Sequence, residues 1–298
     1  MTLASDWVER TKSYLLSGVQ EEKNKLSGAY TAGSGTLTFQ YDAIGVQVGS
    51  RIEVGTNLFY VWEVNGKTVT VSGGWEGTTD ANADSGAIVT INPRFPAAQV
   101  LDALNFDLAD LCSPAHGLYQ VGTDSLTYNP LMTGYDLDGV TNLISVIEVR
   151  GQTPGIYKDW PRLQTYKFRV MNNAPTGSNG FASGKALFIY EDMYAGYPIW
   201  VTYKKGFGSL ANTSTDVSTT GLPSTAYDLP PLGAAIQLMS GREIKRNFTE
   251  SQGDTRRAVE VPAGAVAASV NGLRVLRAQR IEAEKQRLDA FYPIIKDA

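Results

Sequence analysis

Asp80, Asn82 and Asp84 stand at alternate positions in "TTDANADSGAIVTI", residues 78–91, with Gly86 close behind. Oxygen-bearing side chains at positions 1, 3 and 5 begin a helix–loop–helix calcium loop, which also needs Gly at position 6 and a bidentate Glu at position 12. Ser85 and Ile91 hold those two places, and the flanks alternate as strands do. That loop type is excluded, which leaves Asp80, Asn82 and Asp84 as an irregular cation candidate at most. Asp and Asn also hydrogen-bond their own turn backbone, and this accounts for them without an ion.

The rest of the chemical inventory is short. His116, the only histidine, lies four residues beyond Cys112, the only cysteine, in "CSPAHG". A Cys–His nucleophilic pair needs a third group to orient the base. Pro114 between them marks a loop, so a helix-end Cys and a loop His are the better reading. One His and one Cys exclude a structural zinc site built from four N or S ligands. "GFASGKAL" lacks the GxxxxG frame and the Ser/Thr of a phosphate loop. "AGSGTL" precedes a strand, whereas a dinucleotide fingerprint follows one. Glu191 and Asp192 are neighbours on one strand and point to opposite faces, so they cannot flank a glycosidic bond as a catalytic pair. Neither a catalytic set nor a cofactor is expected.

Composition narrows the class. The chain has 298 residues, 43% of them hydrophobic and only 19% charged, with 30 Gly and 13 Pro. That is a globular balance with a leaning toward strands and turns. Net charge is −4, so general attraction to nucleic acid is not expected. The charge is uneven: residues 242–298 carry 11 Lys+Arg against 8 Asp+Glu (+3), leaving 15 against 22 (−7) elsewhere. Such opposed ends fit head-to-tail docking between copies or a tail facing an acidic partner. The N-terminus has acids and no apolar run typical of a secretory leader, and no stretch is long and apolar enough to span a membrane.

The elements that would position these residues follow from periodicity. Residues 1–28 are read as a helical N-terminus, with Leu3, Trp7, Tyr14 and Leu15 near one face and Lys12 among the charges on the others. Residues 29–95 alternate in five short strands around an Asn65-Gly66 hairpin, giving a small β-barrel or sandwich. Residues 96–111 form a linking helix opened by Pro96. Residues 112–210 hold regularly spaced strands of a second, jelly-roll-like β-sandwich. Their aromatics Trp160, Tyr166, Tyr190, Tyr194, Tyr197, Trp200 and Tyr203 are read mainly as core, with a sugar-stacking face as the alternative. The Ser/Thr-rich residues 211–227 read as a flexible linker or arm. Residues 228–298 are helical, with Asp228 at an N-cap. In the last helix Val266, Val270, Leu273, Ile281, Leu288 and Phe291 share a stripe that also contains Arg277 and Glu284. The fold expected is thus mainly β with helical termini.

This order of pieces resembles the minor virion proteins of tailed bacteriophages that sit at the head-to-tail interface, the neck or tail adaptor. The likeness rests on "GKTVTVSGGWEGTTDANADSGAIVTINPRFP" followed by "AAQVLDALN", in which Val71, Gly74, Gly77 and Thr78 match a V-x-x-G-x-x-GT hairpin. Ser72 and Ala83 or Asp84 stand where related sequences often have Arg and His. The helical terminus is similar too, with Glu243, Arg246, Arg280, Glu284 and Leu288 in matching places. The resemblance implies a structural protein without turnover, forming a homo-oligomeric ring in the virion after assembly in the host cytoplasm. Such a ring would contact the portal or other neck and tail proteins, with genome DNA at most passing through its channel and no membrane involved. Trp75, Arg246, Arg277, Arg280, Glu284 and Leu288 are then the candidate interface residues. The alternative is a virion-associated module whose β-sandwich binds a carbohydrate or receptor.

Overall fold

Apolar residues at every second position need a second surface to bury against, and the first run of strands finds it by curling on itself. The computed structural model describes residues 2–16, 21–140, 142–155, 160–177, 180–250 and 265–292, and only the backbone of 241–250 and 265–266. Helix α1 (Ala4–Leu16) precedes strands β1 (Lys23–Lys25), β2 (Thr36–Thr38), β3 (Arg51–Val54), β4 (Asn57–Asn65), β5 (Thr68–Ser72) and β6 (Ile88–Ile91). They form one antiparallel sheet in the order β1-β6-β3-β4-β5-β2. Its two edges meet: Ser27 N donates to Thr38 O at 2.9 Å and Gln40 N to Lys25 O at 2.8 Å. Joining the edges pairs backbone groups that would otherwise be exposed and makes a small barrel. Leu37, Phe39, Ile52, Phe59, Val61, Val69, Val71 and Val89 fill it. Register sets Ile52 opposite Phe59 and Val61 opposite Val71.

β1 departs from the expected N-terminal helix. The helix ends at Leu16, and Lys23–Lys25 pairs with β6. A Lys-Asn-Lys tripeptide has no apolar alternation, so only pairing with β6 makes it a strand. Between β4 and β5 the hairpin falls where Asn65-Gly66 places it, with Asn65 opposite Thr68 and Gly66 at φ 60°. Helix α2 (Ala97–Leu111) follows β6.

The second group comprises β7 (Gln120–Thr127), β8 (Gly134–Asp136), β9 (Leu143–Gly151), β10 (Phe168–Met171), β11 (Ala186–Ile189) and β12 (Pro198–Lys205). They make two three-stranded antiparallel sheets, β10-β11-β8 and β7-β12-β9. Tyr135 and Leu187 from the first share one core with Val149, Ile199, Val201 and Tyr203 from the second, which is sandwich construction. Helices α3 (Leu229–Glu250) and α4 (Ala265–Phe291) end the described chain. Two compact units result: the described residues of 1–110 with 208–282, and those of 111–207 with 283–298.

The Ser/Thr-rich segment expected as a flexible linker is packed. Val217, Thr220, Leu222 and Ala226 are buried. Asp216 caps a short helical turn by accepting from Ser218 N at 2.9 Å, and Ala4 N and Ser5 N donate to Thr215 O and Thr213 O. Four buried side chains spaced among the hydroxyls outweigh the polar composition. No helix among the described residues is long and apolar enough to cross a membrane.

Candidate interaction surface

The loop leaving β5 is built from the residues that carry the resemblance. Gly74 and Gly77 sit at φ 70° and 80°, a region open to glycine because it has no Cβ to clash. Thr78 closes the turn by donating its hydroxyl to Trp75 O at 2.9 Å, and its oxygen accepts from Leu58 N at 3.0 Å. Between the glycines, Glu76 holds φ 54°, a conformation that costs a non-Gly residue on the order of 1 kcal/mol. Glu76 meets Arg51 Nη1 at 3.1 Å. The strained turn presents Trp75 to the outside.

Two further aromatics meet it there. Tyr60, opposite Arg51 and Ser72 on β4, lies against Trp75 with ring centroids 4.5 Å apart and 33° between planes. Trp62 stands edge-on to Tyr60 at 4.7 Å. The pairing shifts between Val61 and Glu63, and this bulge turns Trp62 and Glu63 outward in succession before Val64 returns to the core. Bulges re-aim side chains in this way. Trp62 is 56% exposed and Trp75 37%, so the barrel wears an open aromatic face flanked by the Arg51–Glu76 pair.

Asp80 is the post to which this loop is tied. Its carboxylate accepts from Gly33 N at 2.9 Å, Asn57 Nδ2 at 2.9 Å and the Tyr30 hydroxyl at 3.1 Å. It also rests directly on Gly73, where a Cβ would collide with it. Burial, and then Asp80, push the Tyr30 hydroxyl above its ordinary pKa, which keeps it a donor. Asn82 Oδ1 accepts from Ala32 N at 2.8 Å, while Asp84 contributes its backbone carbonyl to Ala87 N. Asp80 and Asn82 thus give their oxygens to the protein's own donors. No group of three or more His, Cys, Asp or Glu placed to hold a metal occurs among the described residues.

The C-terminal candidates divide. Arg277 donates to Asp107 Oδ1 at 2.7 Å and Asp110 Oδ2 at 3.0 Å on α2. Arg280 forms a fork with both oxygens of Asp228 at 2.8 and 3.1 Å and donates to Thr225 O. Burial is the largest single influence and raises the Asp228 pKa, but the Arg280 hydrogen bonds, a backbone N–H and the charges of Arg280 and Arg10 together outweigh it and hold the carboxyl below its usual range. Both arginines, expected at an intersubunit contact, bond within the chain and latch α4. Asp228 stands at the expected N-cap position, directly before α3 and with its carbonyl accepting from Leu232 N, and its carboxylate also holds that fork. Glu284 is buried and accepts from Arg287 Nε at 2.7 Å. Leu288 is buried, whereas Phe291, expected on the same stripe, is exposed beside the Arg287 guanidinium. The side chains of Arg246 and Val266 lie outside the described residues.

Cys112 accepts from Phe207 N at 3.2 Å, and burial pushes its thiol pKa up, the opposite of what a thiolate nucleophile needs. Glu191 pairs with Lys167 Nζ at 2.5 Å. The sandwich aromatics correct an expectation. Tyr203 is buried, but Tyr166, Tyr190 and Tyr194 are mostly exposed and Trp200 is 37% exposed. In β11 the inward residues are Leu187 and Ile189, which places Phe188 and Tyr190 on the other face. The period of two was right and its parity was not.

Sequence reasoning missed Tyr60, Trp62 and Arg51. The break in alternation within "FYVWEV" carried the signal, since two outward residues in a row mark a bulge. It also misplaced Lys12, which is buried with Nζ 2.9 Å from Glu53 Oε1 and 3.8 Å from Glu21 Oε2. The other Glu53 oxygen accepts from Ala97 N at the start of α2. Burial raises the Glu53 pKa against the pull of Lys12.

No protein-family model matches the chain, and no curated protein matches it significantly.

Proposed function

We propose that this chain is a structural component of a tailed-phage virion, acting without turnover, whose copies form a ring at the head-to-tail connector and join portal to tail. The observation that supports the reading is the Tyr60–Trp62–Trp75 face, held out by a strained turn and a bulge. Exposed clustered aromatics flanked by an Arg are the composition that protein interfaces favour. A face displayed at the cost of backbone strain calls for something that covers it. In a ring, the occupant is the neighbouring copy, which meets it through a different patch because ring interfaces are heterologous.

The test is the particle mass of the purified 32.2 kDa chain, alone and mixed with the portal ring of the same phage. The expected result is a discrete multimer or a stoichiometric complex with the portal, lost when Trp62 and Trp75 are both replaced by Ala. A chain that stays monomeric and ignores every virion component overturns the reading.

A further inference from the structure

The outer face of the β7-β12-β9 sheet carries a row of side chains in cross-strand register. Val149, Ile199 and Val201 point into the sandwich core, so their strand neighbours Glu148, Arg150, Trp200 and Thr202 share the opposite face. Trp200 on β12 stands opposite Ser125 on β7 and Arg150 on β9. One step along, Thr202 stands opposite Glu148. A backbone bridge joins Arg150 to Arg162, on a segment that runs beside β9. There Leu163 N donates to Val149 O at 2.8 Å and Gly151 N to Pro161 O at 3.2 Å. With strands about 4.8 Å apart, Ser125, Trp200, Arg150 and Arg162 line up over roughly 14 Å.

Two features of this face belong together. The first is an aromatic corner: Trp160, two residues before Arg162, meets Trp200 edge to face at 5.3 Å and 78°. The second is a planar polar fork beside that corner. Arg150 Nε donates to Glu148 Oε1 at 2.9 Å and Arg150 Nη2 to Glu148 Oε2 at 3.1 Å. Arg162 Nε lies 4.0 Å from the same carboxylate. The hydrogen bonds to Glu148 raise the Arg150 pKa, so the guanidinium keeps its charge. Each carboxylate oxygen has a further lone pair and the guanidinium has further N–H groups, so the fork can both accept from and donate to a ligand.

An open indole beside a fixed array of charged donors and acceptors suits a ligand with one apolar face and a polar edge. A pyranose ring with equatorial hydroxyls has that shape. Its axial C–H groups form an apolar face that stacks on an aromatic ring, and its hydroxyls, each a donor and an acceptor, reach the fork at the ring's edge. Charge-assisted hydrogen bonds of this kind are about twice as strong as neutral ones. The hydroxyls of Ser125 and Thr202 extend the polar edge along the sheet.

We infer that this face is a binding site for a neutral saccharide with equatorial hydroxyls, its ring stacked on Trp200 in the corner made by Trp160 and its hydroxyls held by Glu148 and Arg150. The site lies on the sandwich and does not depend on the aromatic face of the barrel or on ring assembly. A single-stranded nucleic acid also stacks bases on Trp and pairs phosphates with Arg, but it tracks a basic groove. Here the Arg150 guanidinium is already paired with the Glu148 carboxylate beside the row, on a chain whose net charge is −4.

Calorimetric titration of the full chain with cellotriose and with a thymidine oligonucleotide tests the inference. Cellotriose should bind saturably and more tightly than the oligonucleotide. Trp200→Ala should weaken it by at least about tenfold, and Trp200→Phe, which keeps a stacking ring, should hold within about threefold of the native value. Glu148→Gln, which keeps the shape and removes the charge, should weaken binding by about tenfold. Circular dichroism melts of each variant check that the sandwich is intact. The inference is overturned by absence of saturable cellotriose binding to the folded chain, by binding indifferent to Trp200→Ala or to Glu148→Gln, or by tighter binding of the oligonucleotide.

Discussion

Arg277 Nη2 lies 2.7 Å from Asp107 Oδ1, yet the pKa of Asp107 is pushed up to about 7. Burial is the dominant cause, opposed by Arg277 and reinforced by the nearby Asp110. The Asp107 carboxylate also presses directly on Gly233 of α3, and its buried Oδ2 has no hydrogen-bond partner among the described residues. One acid thus stands where α2, α3 and α4 converge, half-titrated near neutrality.

The pH dependence follows from linkage. A carboxyl whose folded pKa exceeds its unfolded value of about 3.9 binds extra protons in the folded state between those two values. Its contribution favours folding fully below about pH 4 and is lost as pH rises to about 7. Asp107→Asn should therefore flatten the fall in stability between pH 5 and 8. The difference is a few kcal/mol at most, at about 1.4 kcal/mol for each pH unit separating the two pKa values. Urea unfolding midpoints at the two pH values measure it; the same pH dependence in native and variant chains would refute the assignment.

Gly233→Ala should destabilise, against the usual trend for helices. Replacing an interior helical Gly by Ala ordinarily gains about 1 kcal/mol. At Gly233 the new Cβ falls on the Asp107 carboxylate, and overpacking of this kind costs about 1–3 kcal/mol. The sign of the shift in Tm decides between the two.

Lys12→Ala should be among the most damaging single changes. It leaves the buried Glu53 and Glu21 carboxylates without this cation, and breaking a buried pair costs about 3–5 kcal/mol. Chemical denaturation of the purified variant gives the figure. A loss below about 1 kcal/mol, the range of exposed pairs, would mean that water reaches the cluster.

Asp80→Ala should release the loop that carries Trp75. It removes the acceptor for Gly33 N, Asn57 Nδ2 and the Tyr30 hydroxyl, and unsatisfied donors cost about 1–3 kcal/mol each when buried. Since these oxygens already serve protein donors, millimolar calcium should leave the native Tm unchanged. A calcium-dependent rise in Tm that Asp80→Ala abolishes would restore the cation reading.

Periodicity alone was enough for most of the strands, the Asn65-Gly66 hairpin, α2 and the mainly β class, because these depend on which neighbours in the chain are apolar. The glycines at 74 and 77 likewise announced a turn, since only their backbone freedom fits it. What tertiary structure decided is everything that depends on a distant partner. Lys23–Lys25 is a strand only because β6 lies beside it. Tyr190 faces outward because a period of two does not say which parity meets the core. Lys12 is buried because Glu53 lies 41 residues on, and Arg277 is a latch because Asp107 lies 170 residues back. A charge in a sequence has no visible partner until the fold closes the distance, and burial then turns that charge from a surface feature into a constraint on the elements packed around it.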